Sequence, residues 1–214
     1  AIQDLDVLFA VDRAGLLQDG PTHSGVFDLS FCRTVPNLTI MVPSSPGTCE
    51  AMLELGYDHP GPCLVRYPRG EAIPPEAAET PVTFGRSALV RQGGRVALLS
   101  FGTLLETALE VAERQDFTLV DMRFVKPIDT QALAKAAAEH DLLVTIEENS
   151  IAGGAGSAVN EALHQEGINQ PVLNLGVPDR FMAHDQPAAM LEAAGLSADE
   201  IESAVLRRIG KKPD

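Results

Sequence analysis

Residues 7–33 place a short apolar run directly before a polar, glycine-rich loop. The run Val7–Val11 contains no polar residue, which is typical of a strand that is buried on both faces of a sheet. The loop at 13–25 is punctuated by glycine and proline, and a helix-like segment follows at 26–33. In open parallel sheets, ligands bind beyond the carboxyl ends of the strands. This loop is therefore the first candidate for a functional site.

The rest of the chain alternates apolar strand patterns with helix patterns, which predicts parallel strands joined by right-handed crossovers. Further strands are predicted at Leu38–Val42, Cys63–Tyr67, Arg86–Val90 (an edge strand), Val96–Phe101, Phe117–Met122, Leu142–Ile146 and Val172–Leu175. Helices are predicted at Pro46–Tyr57, from a cap at Thr103 to Gln115, from Ile128 to Glu139, from a glycine turn to Glu166, and in two segments after Gln186, with Ser197 capping the second. We expect an α/β fold with two open, mostly parallel sheets that carry helices on both faces.

Residues 69–81 are the best candidate for a linker, because their prolines exclude a helix interior and a central strand. The predicted units are therefore residues 1–68 and residues 82–214. The first unit contains about three predicted strands, whereas most sheets have about four to six. We expect residues upstream of Ala1 to complete this sheet, and a homodimer to bury further surface. The absence of an initiator Met agrees with a native N-terminus that lies elsewhere.

The composition excludes several functional classes. A formal net charge of −14 argues against binding to nucleic acid or to anionic membrane surfaces. No apolar run approaches the roughly 18 residues of a membrane-spanning helix, and no signal peptide is visible. The three cysteines form no CxxC pair, which fits a reduced, cytoplasmic protein.

Four polar residues, two at predicted strand ends and two in the loop at 13–25, are the candidate site residues. Arg13 follows the first strand and Arg69 follows the third, and a guanidinium at such a position suits bidentate bonds to a phosphate. Asp19 and His23 lie in the intervening loop, where they suit proton transfer or recognition of a hydroxyl group. The alternatives are surface salt bridges for the arginines and a solvated loop position for His23.

Other polar residues favour structural interpretations. Arg66 lies inside a strand and, like Arg33, is interpreted as structural, and no metal motif is visible. The Gly153–Gly156 turn resembles a phosphate cradle, but it lacks the G-x-G-x-x-G pattern and is better explained as tight packing of a helix on a sheet. Glu147-Glu148 is interpreted as a polar edge or subunit contact. Surface positions are predicted for four histidines, namely His59, His140, His164 and His184.

Seven motifs together resemble one known family. They are DRAG, DGPTHSG, FDLSF, IMVPS, LVRYPRG, RFVKPID and EENSIAGGAGSAV, in that order from residue 12 to residue 159. This pattern is similar to the 1-deoxy-D-xylulose-5-phosphate synthases, which are thiamine-diphosphate enzymes of the transketolase superfamily. The resemblance extends from Ala1 to about Gly210. The segment from Arg13 to Asp19 is about one residue shorter than in the family pattern.

The resemblance implies a partial pyrimidine-binding domain followed by a transketolase C-terminal domain. It also implies a transferase that condenses pyruvate with D-glyceraldehyde 3-phosphate to 1-deoxy-D-xylulose 5-phosphate with loss of CO2, the first step of non-mevalonate isoprenoid synthesis and a source for thiamine biosynthesis. By the same resemblance, Arg13 and Arg69 hold the acceptor's phosphate, and Asp19 and His23 face the acceptor near the thiazolium carbon. Thiamine diphosphate and Mg²⁺ are expected to bind mostly to an N-terminal part that this chain lacks, so the chain alone is expected to be inactive.

Two other interpretations remain open. The KPID and EEN…GG motifs also fit transketolases and 2-oxo-acid dehydrogenase β-type subunits, although the RYPRG motif disfavours a transketolase. A non-catalytic dimerisation or regulatory module would fit residues 81–214 alone.

Overall fold

The computed structural model describes residues 1–69 and 81–210, which form nine strands and seven helices in these ranges. The strands are β1 Leu8–Val11, β2 Thr39–Met41, β3 Cys63–Arg66, β4 Ala88–Arg91, β5 Val96–Phe101, β6 Thr118–Asp121, β7 Phe124–Lys126, β8 Leu142–Ser150 and β9 Val172–Val177. The helices are α1 Asp28–Cys32, α2 Pro46–Asp58, α3 Leu105–Gln115, α4 Thr130–Glu139, α5 Ala155–Gln165, α6 Pro187–Ala194 and α7 Ala198–Arg208. Most of the predicted linker, residues 70–80, lies outside the described residues.

The strands form two mixed, mostly parallel sheets, and this confirms the predicted fold class. The first sheet has the order β1-β3-β2-β7, and only β7 runs antiparallel to its neighbour. The second has the order β4-β6-β5-β8-β9, in which β4 lies at the edge, as the sequence predicted, and runs antiparallel to β6. Every other pair in the second sheet is parallel. No helix in the described parts of the chain is long and apolar enough to cross a bilayer.

Strand β7 was not predicted, and it belongs to the sheet of the opposite half of the chain. Residue Arg123 has a φ of +61°, a left-handed conformation that redirects the chain between β6 and β7. The chain then pairs with β2, where Met41 lies opposite Phe124. Both Phe124 and Val125 are buried. The sequence pattern ended the strand at Met122 because a two-residue reversal without glycine has no strong local signal.

Strand β1 is an edge strand, so the prediction that it is buried on both faces is wrong. It pairs with β3, and Leu8 lies opposite Cys63. Among the described residues nothing pairs with its other side. Its side chains are also only partly covered, and Phe9 is 49% exposed. An apolar run shows that a strand prefers burial, but it does not show which element covers the strand.

The two halves share their hydrophobic cores. One cluster joins Leu16 and Val26, from the loop after β1, to apolar side chains of β5, β8 and α3. A second cluster lies between the sheets and combines Ile40 and Leu64 with Phe101 and neighbouring residues. Burial of each large apolar side chain contributes about 1.5–3 kcal/mol, so this packing fixes the loop after β1 against the second sheet.

Local signals set several helix ends as predicted. Ser45 and Thr48 form a reciprocal capping box at the start of α2, with Pro46 in the first turn. Ser197 caps α7 through the backbone N–H of Glu200. Thr103, by contrast, does not cap α3, because the N-cap is Leu104 and the Thr103 hydroxyl donates to Glu148 instead.

Candidate active site

The loop after β1 is anchored at both of its ends beside the end of β3. The backbone N–H of Ala14 donates to Tyr67 O at 3.0 Å. Gly25 N donates to Arg13 O at 3.1 Å, and Gly15 N donates to Gly25 O at 2.9 Å. A Cβ at residue 25 would lie 2.3 Å from Arg13 O, so only glycine allows this approach. The loop therefore begins and ends at the carboxyl edge of the first sheet.

Arg13 and Arg69 lie past the ends of neighbouring parallel strands. Val11 is in register with Arg66, so the two guanidinium groups follow strands that end at the same level. Arg13 has a backbone φ of +62°, and its side chain is 43% exposed. Its Nε atom is buried and has no hydrogen-bond partner among the described residues. Asp12 Oδ2 lies 3.9 Å from that Nε, beyond hydrogen-bond distance. Both arginines have donors left to bind an anion.

Asp19 lies beside Arg69. Its carboxylate oxygen is 3.8 Å from the Arg69 guanidinium, and the Arg69 side chain is 62% exposed. An ion pair that is this open contributes little to stability, typically about 0–1 kcal/mol. The pair thus brings together one predicted phosphate-binding residue and one predicted polar residue at the surface.

His23 lies in a tight turn and is exposed. The N–H groups of His23 and Ser24 both donate to Gly20 O at 3.1 Å, and Ser24 Oγ accepts from Leu17 N at 3.0 Å. The His23 Nδ1 lies 3.0 Å from Thr22 Oγ1. Among the described residues, the His23 ring makes no hydrogen bond or ion pair with Asp19 or with either arginine. The turn presents the imidazole to solvent.

Beneath this loop, Arg66 is buried, in agreement with its structural interpretation. Its Nε lies 2.9 Å from both oxygens of the Asp28 carboxylate. Its Nη2 donates to Gly25 O and, at 3.0 Å, to Glu148 O. The buried guanidinium therefore ties β3 to the end of the loop and to β8.

Glu148 is a residue that the sequence interpretation misplaced, because it is buried and does not lie at a polar edge. Its Oε1 accepts from Leu16 N at 2.7 Å, and its Oε2 accepts from Thr103 Oγ1 at 2.6 Å. Burial raises the pKa of this carboxyl, and the two donors oppose that shift. The only sequence signal was an acidic pair that directly continues an apolar strand, and its partners lie far away along the chain.

Glu147 is also buried, and its carboxylate occupies the N-terminus of α5. It accepts from Ala155 N at 2.7 Å and from Gly156 N at 2.8 Å. These are the N–H groups that would hold a phosphate in a glycine cradle. A Cβ at Gly154 would lie 2.2 Å from Glu147 Oε2. The glycine turn therefore packs α5 against β8, as predicted. The group that occupies the N-terminus of α5 is the protein's own Glu147 carboxylate.

A pH dependence of stability follows from Glu147. Burial raises its pKa from 4.5 to about 7, against the opposing effect of its two backbone donors. Between these values the folded protein binds more protons than the unfolded chain, so the free energy of unfolding falls as the pH rises. The loss is at most about 3 kcal/mol. In urea denaturation, wild type should lose stability relative to Glu147→Gln as the pH is raised from 5 to 8. An unchanged difference would contradict this assignment.

His140 is buried, so its predicted surface position is wrong. Its ring nitrogens lie 2.8 Å from Ala136 O and 2.8 Å from Thr118 Oγ1. The imidazole thereby joins the end of α4 to β6. A helix-end histidine is usually solvated, and a partner on a strand 22 residues earlier has no local sequence signal.

No group of three or more His, Cys, Asp or Glu side chains in the described ranges is arranged to hold a metal ion. At the edge of the first sheet, the guanidinium groups of Arg13 and Arg69 supply positive charge and N–H donors, which are the groups that bind anions in proteins.

Two family descriptions match the sequence in tandem. The transketolase pyrimidine-binding domain matches residues 1–74, and the transketolase C-terminal domain matches residues 85–201. The chain belongs to the transketolase family. A solved member of the family, a "split gene transketolase" in an inactive β4 tetramer, is 31% identical with a TM-score of 0.89, over 100% of this chain and 70% of its own. The transketolase of Campylobacter jejuni, at 18% identity and a TM-score of 0.70 over 94% of this chain and 31% of its own, shares the fold.

Curated relatives within the family are similar over almost the whole chain. The 1-deoxy-D-xylulose-5-phosphate synthase of Pseudomonas entomophila strain L48 is 51% identical over 99% of this chain and 34% of its own length. The synthase of Alkalilimnicola ehrlichii is 54% identical over 92% of this chain and 32% of its own length. The chain thus spans about a third of the length of these relatives. The predicted resemblance is confirmed.

Proposed function

We propose that this chain forms the acceptor-binding part of a 1-deoxy-D-xylulose-5-phosphate synthase. The observation that carries the proposal is the position of Arg13 and Arg69 at adjacent strand ends, both with free donors among the described residues. The 51% identity to a curated synthase supports the same substrate class. The proposed reaction condenses pyruvate with D-glyceraldehyde 3-phosphate and releases CO2. It would supply the first intermediate of an isoprenoid pathway and a precursor for thiamine.

In this proposal, the two arginines bind the phosphate end of the acceptor, and the polar residues of the loop bind its hydroxyl and carbonyl groups. The guanidinium groups of Arg13 and Arg69 bind the phosphate through charge-assisted hydrogen bonds. Asp19 orients Arg69 and accepts a bond from an acceptor hydroxyl. His23 donates a proton to the acceptor's carbonyl oxygen, which gains negative charge as the new C–C bond forms. Thiamine diphosphate, when bound, supplies the nucleophilic carbon and the electron sink.

The cofactor and partner assignments belong to the same proposal. This chain spans 34% of the length of a curated synthase, and Mg²⁺ and most of the residues that bind thiamine diphosphate are proposed to belong to an N-terminal part outside it. A cytoplasmic homodimer completes the proposed enzyme. The exposed Phe9 edge and the exposed aromatic rings of Phe31 and Phe181 offer apolar surface for such contacts.

A transketolase of the split-gene kind is the second candidate, supported by the structural match over 100% of this chain. The two candidates differ in the donor substrate. A synthase consumes pyruvate and releases CO2, whereas a transketolase transfers a two-carbon unit from a ketose phosphate and releases none. An assay for CO2 release from pyruvate in the presence of glyceraldehyde 3-phosphate distinguishes them in the full-length protein.

The isolated chain is expected to be inactive and to bind thiamine diphosphate only weakly. The reason is that this chain spans only 34% of the length of a curated synthase, and the proposed cofactor site lies mostly in the remaining part. Isothermal titration of the folded chain with thiamine diphosphate and Mg²⁺ measures this, with the full-length protein as positive control. Submicromolar binding by the isolated chain, or measurable turnover, would overturn the expectation.

A further inference from the structure

The loop that carries the proposed acceptor-binding residues rests directly on the carboxyl group of Glu148. Besides the bond from Leu16 N, the backbone of Gly15 approaches so closely that a Cβ there would lie 2.2 Å from Glu148 Cδ. Gly15 also has a φ of +87°, which side-chain-bearing residues rarely adopt. Leu16 and Glu148 are both buried. The contact is sealed from water, which strengthens its hydrogen bonds.

One residue of β8 thereby holds both ends of the loop. The Glu148 carboxylate binds the start of the loop at Leu16, while its backbone oxygen accepts from Arg66 Nη2. The same Nη2 also donates to Gly25 O at the end of the loop. Thr103, at the end of β5, binds the second carboxylate oxygen and fixes its direction. The second sheet thus fixes the position of a loop that belongs to the first sheet.

We propose that Glu148 is a positioning residue for the acceptor site, an inference that rests on the proposed function. Leu16 lies three residues from Arg13 and three from Asp19 along the chain. The bond to Glu148 therefore sets the distance between the Arg13 guanidinium and the Asp19–Arg69 pair. A displacement of about 1 Å at such a site can change catalysis about 100-fold. Glu148 acts through the loop and does not itself contact the acceptor.

Glu147 provides a matched control. It lies next to Glu148 on the same strand and is also buried, but its carboxylate binds α5 and not the loop. Removal of either carboxylate should lower stability. Only removal of Glu148 should weaken recognition of the acceptor. A purely structural role for Glu148 predicts the same kinetic effect for both variants.

The test compares Glu148→Ala, Glu148→Gln, Glu147→Ala and Thr103→Val in the full-length enzyme. Glu148→Ala should raise the KM for glyceraldehyde 3-phosphate about tenfold and change the KM for pyruvate less than about twofold. Glu148→Gln, whose amide oxygen still accepts from Leu16 N, should have a KM for glyceraldehyde 3-phosphate close to that of wild type. Thr103→Val is a milder change, which tests the same contact if Glu148→Ala does not fold. It should raise the KM for glyceraldehyde 3-phosphate about threefold. Glu147→Ala should leave the ratio of the two KM values unchanged.

Hydrogen–deuterium exchange at Ala14 and Gly15 gives a readout that is independent of activity. Their N–H groups donate to Tyr67 O and Gly25 O, not to Glu148, so faster exchange in Glu148→Ala reports movement of the loop itself. Unchanged exchange, or an equal rise of both KM values, overturns the positioning role. If the wild-type full-length protein forms no deoxyxylulose phosphate, the proposed function fails, and the exchange result still decides whether Glu148 positions the loop.

Discussion

Replacement of Arg69 by Ala in the full-length enzyme is expected to lower kcat/KM for glyceraldehyde 3-phosphate about 10- to 150-fold. The physical reason is the loss of a charge-assisted contact to phosphate, worth about 1.5–3 kcal/mol. Arg13→Ala should have an effect of the same size, because its guanidinium lies at the neighbouring strand end. Pyruvate has no phosphate, so its binding should change little. Steady-state kinetics with each substrate varied in turn measures both effects.

Unphosphorylated glyceraldehyde separates a binding role from a folding role. It never contacts the phosphate site, so Arg69→Ala should leave its rate almost unchanged, whereas a folding defect would slow both acceptors. Replacement of His23 should slow both, because the imidazole acts at the carbonyl end. Arg95→Ala is the matched control, since its ion pair with Asp141 is exposed. Equal slowing of both acceptors by Arg69→Ala, without loss of thermal stability, would make Arg69 a surface salt-bridge residue.

Replacement of Arg66 by Ala is expected to lower the free energy of unfolding by about 3–5 kcal/mol. The change leaves the Asp28 carboxylate, which is mostly buried, without its cation, and it also removes donors from Gly25 O and Glu148 O. Breaking one side of a buried ion pair typically has an effect of about this size. Urea or guanidinium denaturation of the chain measures it.

A double variant tests whether the charge left behind causes the loss. Arg66→Met combined with Asp28→Leu removes both charges and should recover much of the stability, because an apolar pair avoids the cost of burying ions. Arg95→Ala, at the exposed pair, should change stability by less than about 1 kcal/mol. A loss below about 1 kcal/mol for Arg66→Ala would show that solvent or another cation reaches Asp28.

The alternation of strands and helices was predictable because each element has a strong local signal. The apolar run at 96–101 and the cap at Ser45 depend only on residues near them in the sequence. The edge position of β1 and the sheet that β7 joins depend on tertiary pairing, which local patterns do not encode. From the sequence alone, a polar stretch such as Glu147–Asn149 is predicted to be exposed, because the residues that bind it lie far away along the chain.

The candidate site divides in the same way. Arg13 and Arg69 could be placed together because residues that follow parallel strands share one edge of the sheet, and the family resemblance gave them a role. Glu148 could not be found, since its donors Leu16 and Thr103 come from two other segments. The roles of Asp19 and His23 remain predictions, and the structure adds that Asp19 lies beside Arg69.

The pairing of β2 with β7 has a consequence for how the protein is made. Ile40 can pair with Lys126 only after the whole intervening chain has left the ribosome. Until then β2 has an open edge, which is a template for wrong pairing between nascent chains. Engineering that cuts the gene between residues 69 and 81 would make this transient hazard permanent. A soluble first half would therefore have to carry a graft of Phe124–Lys126, or a designed strand in its place.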